Sequence, residues 1–194
     1  MKKLILFALL SCTAISMQAQ FELKINPVTS VLGSVDIQGE YVINENFGVE
    51  LSLQPFFGKT NGLIDSSHSF ADKKSGFAEK LRFKYYFDPF NGADQSYLDV
   101  FITNFSVVYT MYSDENQMHI NEINKESYVG MGLEYGRKTA FDSGLIFEYA
   151  IGLGAHLSSN HIITDGNNRV VYEGEYSPLF ASGKLVIGYR FGDY

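Results

Sequence analysis

The chain has no tryptophan, one cysteine and four prolines, and its main uninterrupted apolar run is the short stretch Leu4–Leu10. Each shortage removes a class of protein. A helix crossing a bilayer needs about 20 apolar residues, so any membrane span here must be built from strands. Cys12 is the sole cysteine; if it leaves with a leader, no disulfide, thiolate metal centre or thiol nucleophile remains. Basic residues are also scarce. Fifteen Lys and Arg against 22 Asp and Glu give a net charge of −7, and loss of Lys2 and Lys3 with a leader takes it to −9. Nucleic acid, which is gripped by clustered Lys and Arg, is an unsuitable partner for such a chain.

What is present begins with Lys2 and Lys3, the apolar run Leu4–Leu10, and small and polar residues up to Gln20. That is the layout of a secretory signal peptide. Cleavage after Ala19 makes 1–19 the leader and 20–194 the mature domain. A second reading is a lipoprotein signal, in which Leu9-Leu10-Ser11-Cys12 loosely matches a lipobox and Cys12 carries the lipid.

From Phe21 to Phe191 the chain repeats short stretches of strict apolar–polar alternation. A period of two suits a pleated strand with two chemically different faces. Ser34–Ile43 sets Val35, Ile37, Tyr41 and Ile43 against Asp36, Gln38 and Glu40; Asn44-Glu45-Asn46 is a tight turn; Phe47–Gln54 sets Phe47, Val49, Leu51 and Leu53 against Glu50, Ser52 and Gln54. This is a hairpin. The same pattern predicts strands at Lys80–Phe87, Val129–Tyr135, Leu145–His156 and Lys184–Phe191, with a short one at Phe21–Asn26. Tyr97–Tyr112 is long, and its mixed faces suggest a bulge that shifts parity midway.

The prediction is therefore eight strands. Connections at Asn44–Asn46, Asp88–Ser96 and Arg137–Ser143 are short. Those at Gly58–Phe77, Ser113–Lys125 and Leu157–Tyr176 are long and polar, while Pro27–Gly33 is brief and apolar. Short turns on one side and long loops on the other match an outer-membrane barrel. The expected fold is all-β, an eight-stranded antiparallel up-and-down transmembrane β-barrel, with both termini periplasmic.

Alternation alone does not say which face is inside, because a soluble carrier barrel hides the apolar one. Several features favour the membrane. Tyr41, Phe47, Phe87, Tyr97, Tyr135, Tyr189 and Phe191 lie near strand ends on the apolar face, as in an aromatic girdle. The polar face mixes small residues with charges of both signs, as a narrow filled lumen requires. Adjacency suggests ion pairs: Glu50 beside Arg82 and Lys84, near Asp99; Glu148 beside Lys184 and Arg190; and the last strand against Glu22 and Lys24. The final strand, Lys184 to Phe191, is similar to the terminal signal read by the barrel-assembly machinery.

Asn26-Pro27-Val28-Thr29-Ser30-Val31-Leu32-Gly33, the following Gln38-Gly39-Glu40-Tyr41 and the Asn44-Glu45-Asn46-Phe47 turn resemble the opening of a family of small outer-membrane barrels, domain of unknown function 3575. Lys84-Tyr85-Tyr86-Phe87 and Phe147-Glu148-Tyr149-Ala150-Ile151-Gly152-Leu153-Gly154 are similar to its later strands. More broadly the chain resembles OmpX- and OmpA-like barrels. The resemblance implies a fold and a compartment and transfers no catalytic residue.

Candidate chemistry is sparse. His156-Leu157-Ser158 has the His-x-Ser spacing of outer-membrane lipid A deacylases, with Ser159 where that motif has Asn, Asn160 one place late, and Glu173 or Glu175 as the acid. Ser158 would attack an ester with His156 as base. Parity argues against it, since His156 shares the lumenal face with Glu148. His68, His119 and His161 fall in predicted loops without metal-ligand spacing. Asp36, Glu40, Glu50, Glu134 and Glu148 read as interior salt-bridge partners rather than paired catalytic acids. Gly152-Leu153-Gly154 reads as a close-packed strand, and Lys73-Lys74 as a solvated pair able to touch lipopolysaccharide phosphates.

The expectation is a monomeric, non-enzymatic barrel with no catalytic, cofactor-binding or metal residues. Its role would be structural or in surface interaction rather than as a general pore. Its partners would be outer-membrane lipid and lipopolysaccharide, the barrel-assembly machinery, and extracellular ligands of the long loops. The alternatives are a lipid A-modifying hydrolase using Ser158 and His156, and a soluble periplasmic carrier of an apolar ligand.

Overall fold

The computed structural model describes residues 20–31, 33–57, 73–112 and 120–192. The leader expected over 1–19, and the loop segments 58–72 and 113–119, lie outside these residues. The elements in chain order are β1 (Gln20–Asn26), the short helix α1 (Pro27–Val31), β2 (Asp36–Val42), β3 (Phe47–Phe56), β4 (Lys73–Tyr86), β5 (Gln95–Tyr112), β6 (Ile120–Ala140), β7 (Leu145–Asp165), β8 (Val170–Gly174) and β9 (Leu179–Phe191). The strands pair in the order β6-β5-β4-β3-β2-β1-β9-β7, and β6 also pairs with β7. Eight antiparallel strands thus close into a ring. β8 stands outside it, paired to the upper part of β7.

Local chemistry sets the register. At the β2–β3 turn the Asn44 side-chain oxygen accepts from the backbone N–H groups of Asn46 and Phe47, both at 2.9 Å. An Asx turn of this kind tightens the hairpin and fixes Ile37 opposite Leu53 and Glu40 opposite Glu50. The ring closes where Phe21 meets Phe191 and Glu22 meets Arg190. Both described chain ends therefore lie at the same end of the barrel, the end with the tight turns.

The fold is inside out by the standards of a water-soluble protein. Ile37, Leu51, Phe83, Leu133, Leu153 and Leu185 are exposed on the outer surface, Leu133 at 52% and Leu153 at 71%. Glu22, Lys24, Glu40, Glu50, Glu134, Lys138 and Glu148 are fully buried at 0%. An apolar-ligand carrier needs the reverse arrangement.

Strand length divides the barrel into two levels. β6 and β7 each have 21 residues, whereas a tilted spanning strand needs about 9–11. One continuous rung marks the change: Glu79 pairs with Asn104, Asn104 with Val129, and Val129 with Ser158. Below it, outward positions carry apolar rungs such as Phe83–Val100–Leu133–Leu153. Above it they are mixed, as in the rungs Phe77–Ser106–Ser127–Asn160 and Ser75–Val108–Lys125–Ile162. The upper parts of β4 to β7, with β8, form a wall that rises beyond β1 to β3.

Four expectations need correction. The loop predicted at Leu157–Tyr176 is mostly strand: β7 runs on to Asp165 and returns as β8. The turn predicted at Arg137–Ser143 is shorter, because β6 continues to Ala140 and brings Lys138 into the lumen. Tyr97 does not join the outer girdle; it is fully buried. The parity shift expected within Tyr97–Tyr112 is absent up to Met111, where an irregularity closes the strand. The mixed faces arise because β5 climbs past the apolar band. The bulge lies instead between β6 and β7, where Gly130 pairs with His156 and Val129 with Ser158, so Leu157 is the extra residue.

Candidate functional site

Lumenal residues stack in rungs from the turn end upward. The lowest level is an ionic plug. The Lys24 ammonium contacts Glu40 at 2.5 Å, Glu148 at 2.7 Å, and Glu50. Lys84 reaches the same carboxylates, Glu40, Glu50 and Glu148, at 2.8, 2.6 and 2.7 Å. Lys184 contacts Glu50 and Glu148 at 2.7 and 2.6 Å, and Arg82 bridges Glu50 and Glu134 at 2.8 and 3.1 Å. Lys138 lies on Glu22 and Glu40, and Arg190 on Glu22. Tyr86 and Tyr97 donate their hydroxyls to Glu40 and Glu148, each at 2.5 Å.

Such burial is tolerated only when every charge is paired, and the strand adjacency arranges it. Glu50 faces Arg82 across β3 and β4, and Glu22 faces Arg190. The carboxylate oxygens of Glu40, Glu50 and Glu148 converge within 4.8 Å, the geometry of a cation cage. Two lysine ammonium groups, Lys24 and Lys84, occupy that role. Asp99 is the exception: it is 1% exposed and neither carboxylate oxygen has a hydrogen-bond partner. Asp36 accepts from Gln38 at 2.7 Å and Ser52 at 2.6 Å.

The Arg190 guanidinium also donates to the backbone oxygens of Asn91 (2.6 Å) and Ala93 (2.9 Å), tucking the β4–β5 turn beneath the plug. Above the plug, a cavity of about 280 Å³ is lined by Asp36, Lys80, Arg82, Thr103, Tyr128 and Lys184 among others. Lys80 is held there by Glu134 (3.1 Å) and Ser182 (2.7 Å).

Over that cavity the lumenal face turns aromatic. Phe101 packs on Phe180, Phe180 stacks on His156 at 4.8 Å between ring centroids, and His156 meets Tyr128 at 4.6 Å. Tyr128 in turn stacks on Phe105 at 4.7 Å. Glycine makes the room: a Cβ on Gly154 would lie 2.3 Å from the Phe180 ring, and one on Gly136 2.5 Å from Tyr97. The Gly152-Leu153-Gly154 segment is thus a close-packed strand, as expected.

The His156/Ser158 pair does not form a catalytic couple. The bulge at Leu157 leaves His156 on the lumenal face and turns Ser158 to the outer face, at the rung where the apolar band ends. His156 is already engaged, with its Nδ1 2.6 Å from the Ser177 carbonyl oxygen. The same bulge re-aims everything beyond it, a known use of this irregularity. Ser159, His161 and Ile163 now join the lumenal face opposite Tyr128, Glu126 and Asn124. His161 is therefore a strand residue rather than a loop histidine; His68 and His119 lie outside the described residues. Lys74 is no simple solvated residue: its ammonium sits 4.4 Å over the Phe56 ring. Lys138, Tyr86 and Tyr97 in the plug, and Lys80 in the cavity above it, are partners that a pairwise reading of charges along the sequence misses.

This geometry defines an eight-stranded antiparallel barrel with an ionic, side-chain-filled interior. Residues 4–186 match the model of the family described as "Protein of unknown function (DUF3575)", and the chain belongs to that family. It is similar in fold to the crystal structure of a major outer membrane protein from Thermus thermophilus, with a TM-score of 0.54 and 13% identity, covering 89% of this chain and 99% of that one. No curated protein matches the sequence.

Proposed function

We propose that the protein is an outer-membrane barrel with a sealed lumen, whose role is structural or lies in contacts made by the wall above the membrane. One observation carries this reading: Phe83, Leu133, Leu153 and Leu185 stand exposed while Glu40, Glu50, Glu148 and Lys24 are fully buried. In water such an arrangement forfeits the hydrophobic stabilisation of folding; in hydrocarbon it is the favourable one. The similarity in fold to an outer membrane protein supports the same compartment.

The apolar band ends at the Glu79–Asn104–Val129–Ser158 rung, which marks the outer interface. The tight turns and both termini then lie in the periplasm. The ionic plug opposes general diffusion, because a hydrated solute would have to separate fully buried ion pairs. Lipopolysaccharide borders the rim, and the barrel-assembly machinery inserts the chain.

Fractionation of an expressing Gram-negative cell tests this. The mature protein should remain in the detergent-extracted outer membrane and migrate faster on gels before boiling than after. In planar bilayers it should give no steady conductance of porin size. Recovery in the soluble periplasmic fraction would contradict the reading.

A further inference from the structure

From the upper lumenal face we infer that the wall above the apolar band carries a binding site for a neutral carbohydrate, centred on Asn124, Glu126, His161 and Tyr176. This deepens the surface-interaction reading by naming a ligand class, and it rests on that reading for its setting.

The register brings these residues together. Glu126 pairs with His161, and Asn124 with the next lumenal position, Ile163. The Asn124 side-chain nitrogen lies 3.5 Å from Glu126. Tyr176 follows β8, and its ring stacks on His161 with centroids 5.3 Å apart and planes 5° from parallel. Its backbone N–H donates to Ser159 Oγ at 3.0 Å, which ties the segment to β7. Burial and the neighbouring Glu126 carboxylate push the Tyr176 hydroxyl well above the ordinary tyrosine range. The site exists because of the Leu157 bulge; without the extra residue, His161 would face outward.

Three groups in this cluster are shielded from solvent and lack a hydrogen-bond partner: Asn124 Oδ1, His161 Nε2 and the Tyr176 hydroxyl. Buried polar atoms are rarely left so, because each unmade bond forfeits the hydration the atom had in the unfolded chain. The first two are held in place by packing, Asn124 beside Glu126 and His161 between Tyr176 and Tyr172. Tyr172 is 46% exposed and supplies an accessible ring at the margin.

The donor set selects the ligand. An acceptor oxygen, an imidazole nitrogen of either role, a carboxylate and a phenol suit a molecule whose groups both donate and accept. A hydroxyl is such a group. The Lys74 ammonium offsets the Glu126 carboxylate and leaves the site no strong net charge to select an ion, and an apolar ligand would leave the unmet atoms unmet. A sugar ring offers several hydroxyls on a fixed frame and an apolar face for the Tyr172 ring.

The test uses the purified, folded full barrel in detergent, with saturation-transfer NMR and calorimetry against maltotetraose, cellotetraose and chitotetraose. At least one should bind. His161→Ala and Asn124→Ala should each weaken it about tenfold, the loss of one well-made hydrogen bond. Ser158→Ala, on the opposite face of the same strand, should leave it unchanged, and all three variants should keep the heat-modifiable gel shift that reports a folded barrel. The inference is overturned if none of the three sugars binds, if both weakening variants bind like the parent, or if binding requires an added divalent cation and is lost with chelator. Membrane fractionation is a separate readout, so failure here and failure of the compartment reading are distinguishable.

Discussion

Below the Glu79–Asn104–Val129–Ser158 rung, β5, β6 and β7 present hydrocarbon-like side chains outward and paired charges inward. Above it, the same three strands mix polar with apolar side chains outward, Ser106, Ser127, Lys125 and Asn160 among Val108, Ile123 and Ile162, and present aromatic rings with unpaired polar atoms inward. Backbone, register and hydrogen-bonding continue across the line apart from the single bulge at Leu157. The difference is therefore written in side chains alone, and under the proposed membrane placement the two levels answer to different solvents. In the lower level the outside is apolar and the inside must neutralise itself. On the proposed membrane reading, water reaches the outside of the upper level, and the inner face is free to carry a recognition surface.

Substitutions that exchange the rules of the two levels are ways to break this contrast. The largest effect is expected for Glu50→Gln, which removes the carboxylate shared by Lys24, Arg82, Lys84 and Lys184. Stranding buried cations should cost about 3–5 kcal/mol, read as the shift in the urea midpoint of the folded band in liposomes. Next, Leu133→Arg places a charge on the lower outer face and should cost about 2–4 kcal/mol, whereas Ser127→Arg, above the rung on the same strand, should cost about 0–1 kcal/mol. Equal costs would erase the distinction between levels.

Gly154→Val drives a side chain into the Phe180 ring and should cost about 1–3 kcal/mol through overpacking, measured by the same unfolding assay. The smallest effect sharpens the electrostatic half of the contrast. Asp99→Asn removes a buried carboxylate that makes no hydrogen bond, so the midpoint should be unchanged or slightly raised. A loss as large as that of Glu50→Gln would show that Asp99 belongs to the plug after all.

Much of the lower level is legible in the sequence, because one face is apolar, the other ionic, and the contrast between alternating positions is maximal there. The Asn44–Phe47 hairpin, the outward rows of Leu51, Phe83 and Leu185, and the pairs Glu50–Arg82, Glu148–Lys184 and Glu22–Arg190 all follow from parity and strand adjacency. Tyr97 misleads because its type suits both a girdle and a lumen, and only its hydroxyl's partner, Glu148, decides. Lys138 hides in a polar segment that reads as turn although the strand runs through it. The upper level is illegible for a physical reason: when both faces meet water or each other, apolar–polar alternation fades, so Leu157–Tyr176 resembles loop. A one-residue bulge leaves no mark in composition, yet it decides that His156 and Ser158 part company and that His161 turns inward.

The most direct test of the account is a nitroxide scan along β6 of the barrel in bilayers, using single-cysteine variants in a background with Cys12 replaced. Leu133→Cys and Met131→Cys should give labels reached by dissolved oxygen and shielded from a water-soluble nickel chelate, while Ser127→Cys and Lys125→Cys should show the reverse. A label at Leu133 that is open to the nickel chelate, or immobile and closed to both reagents, would contradict an apolar surface turned outward to lipid.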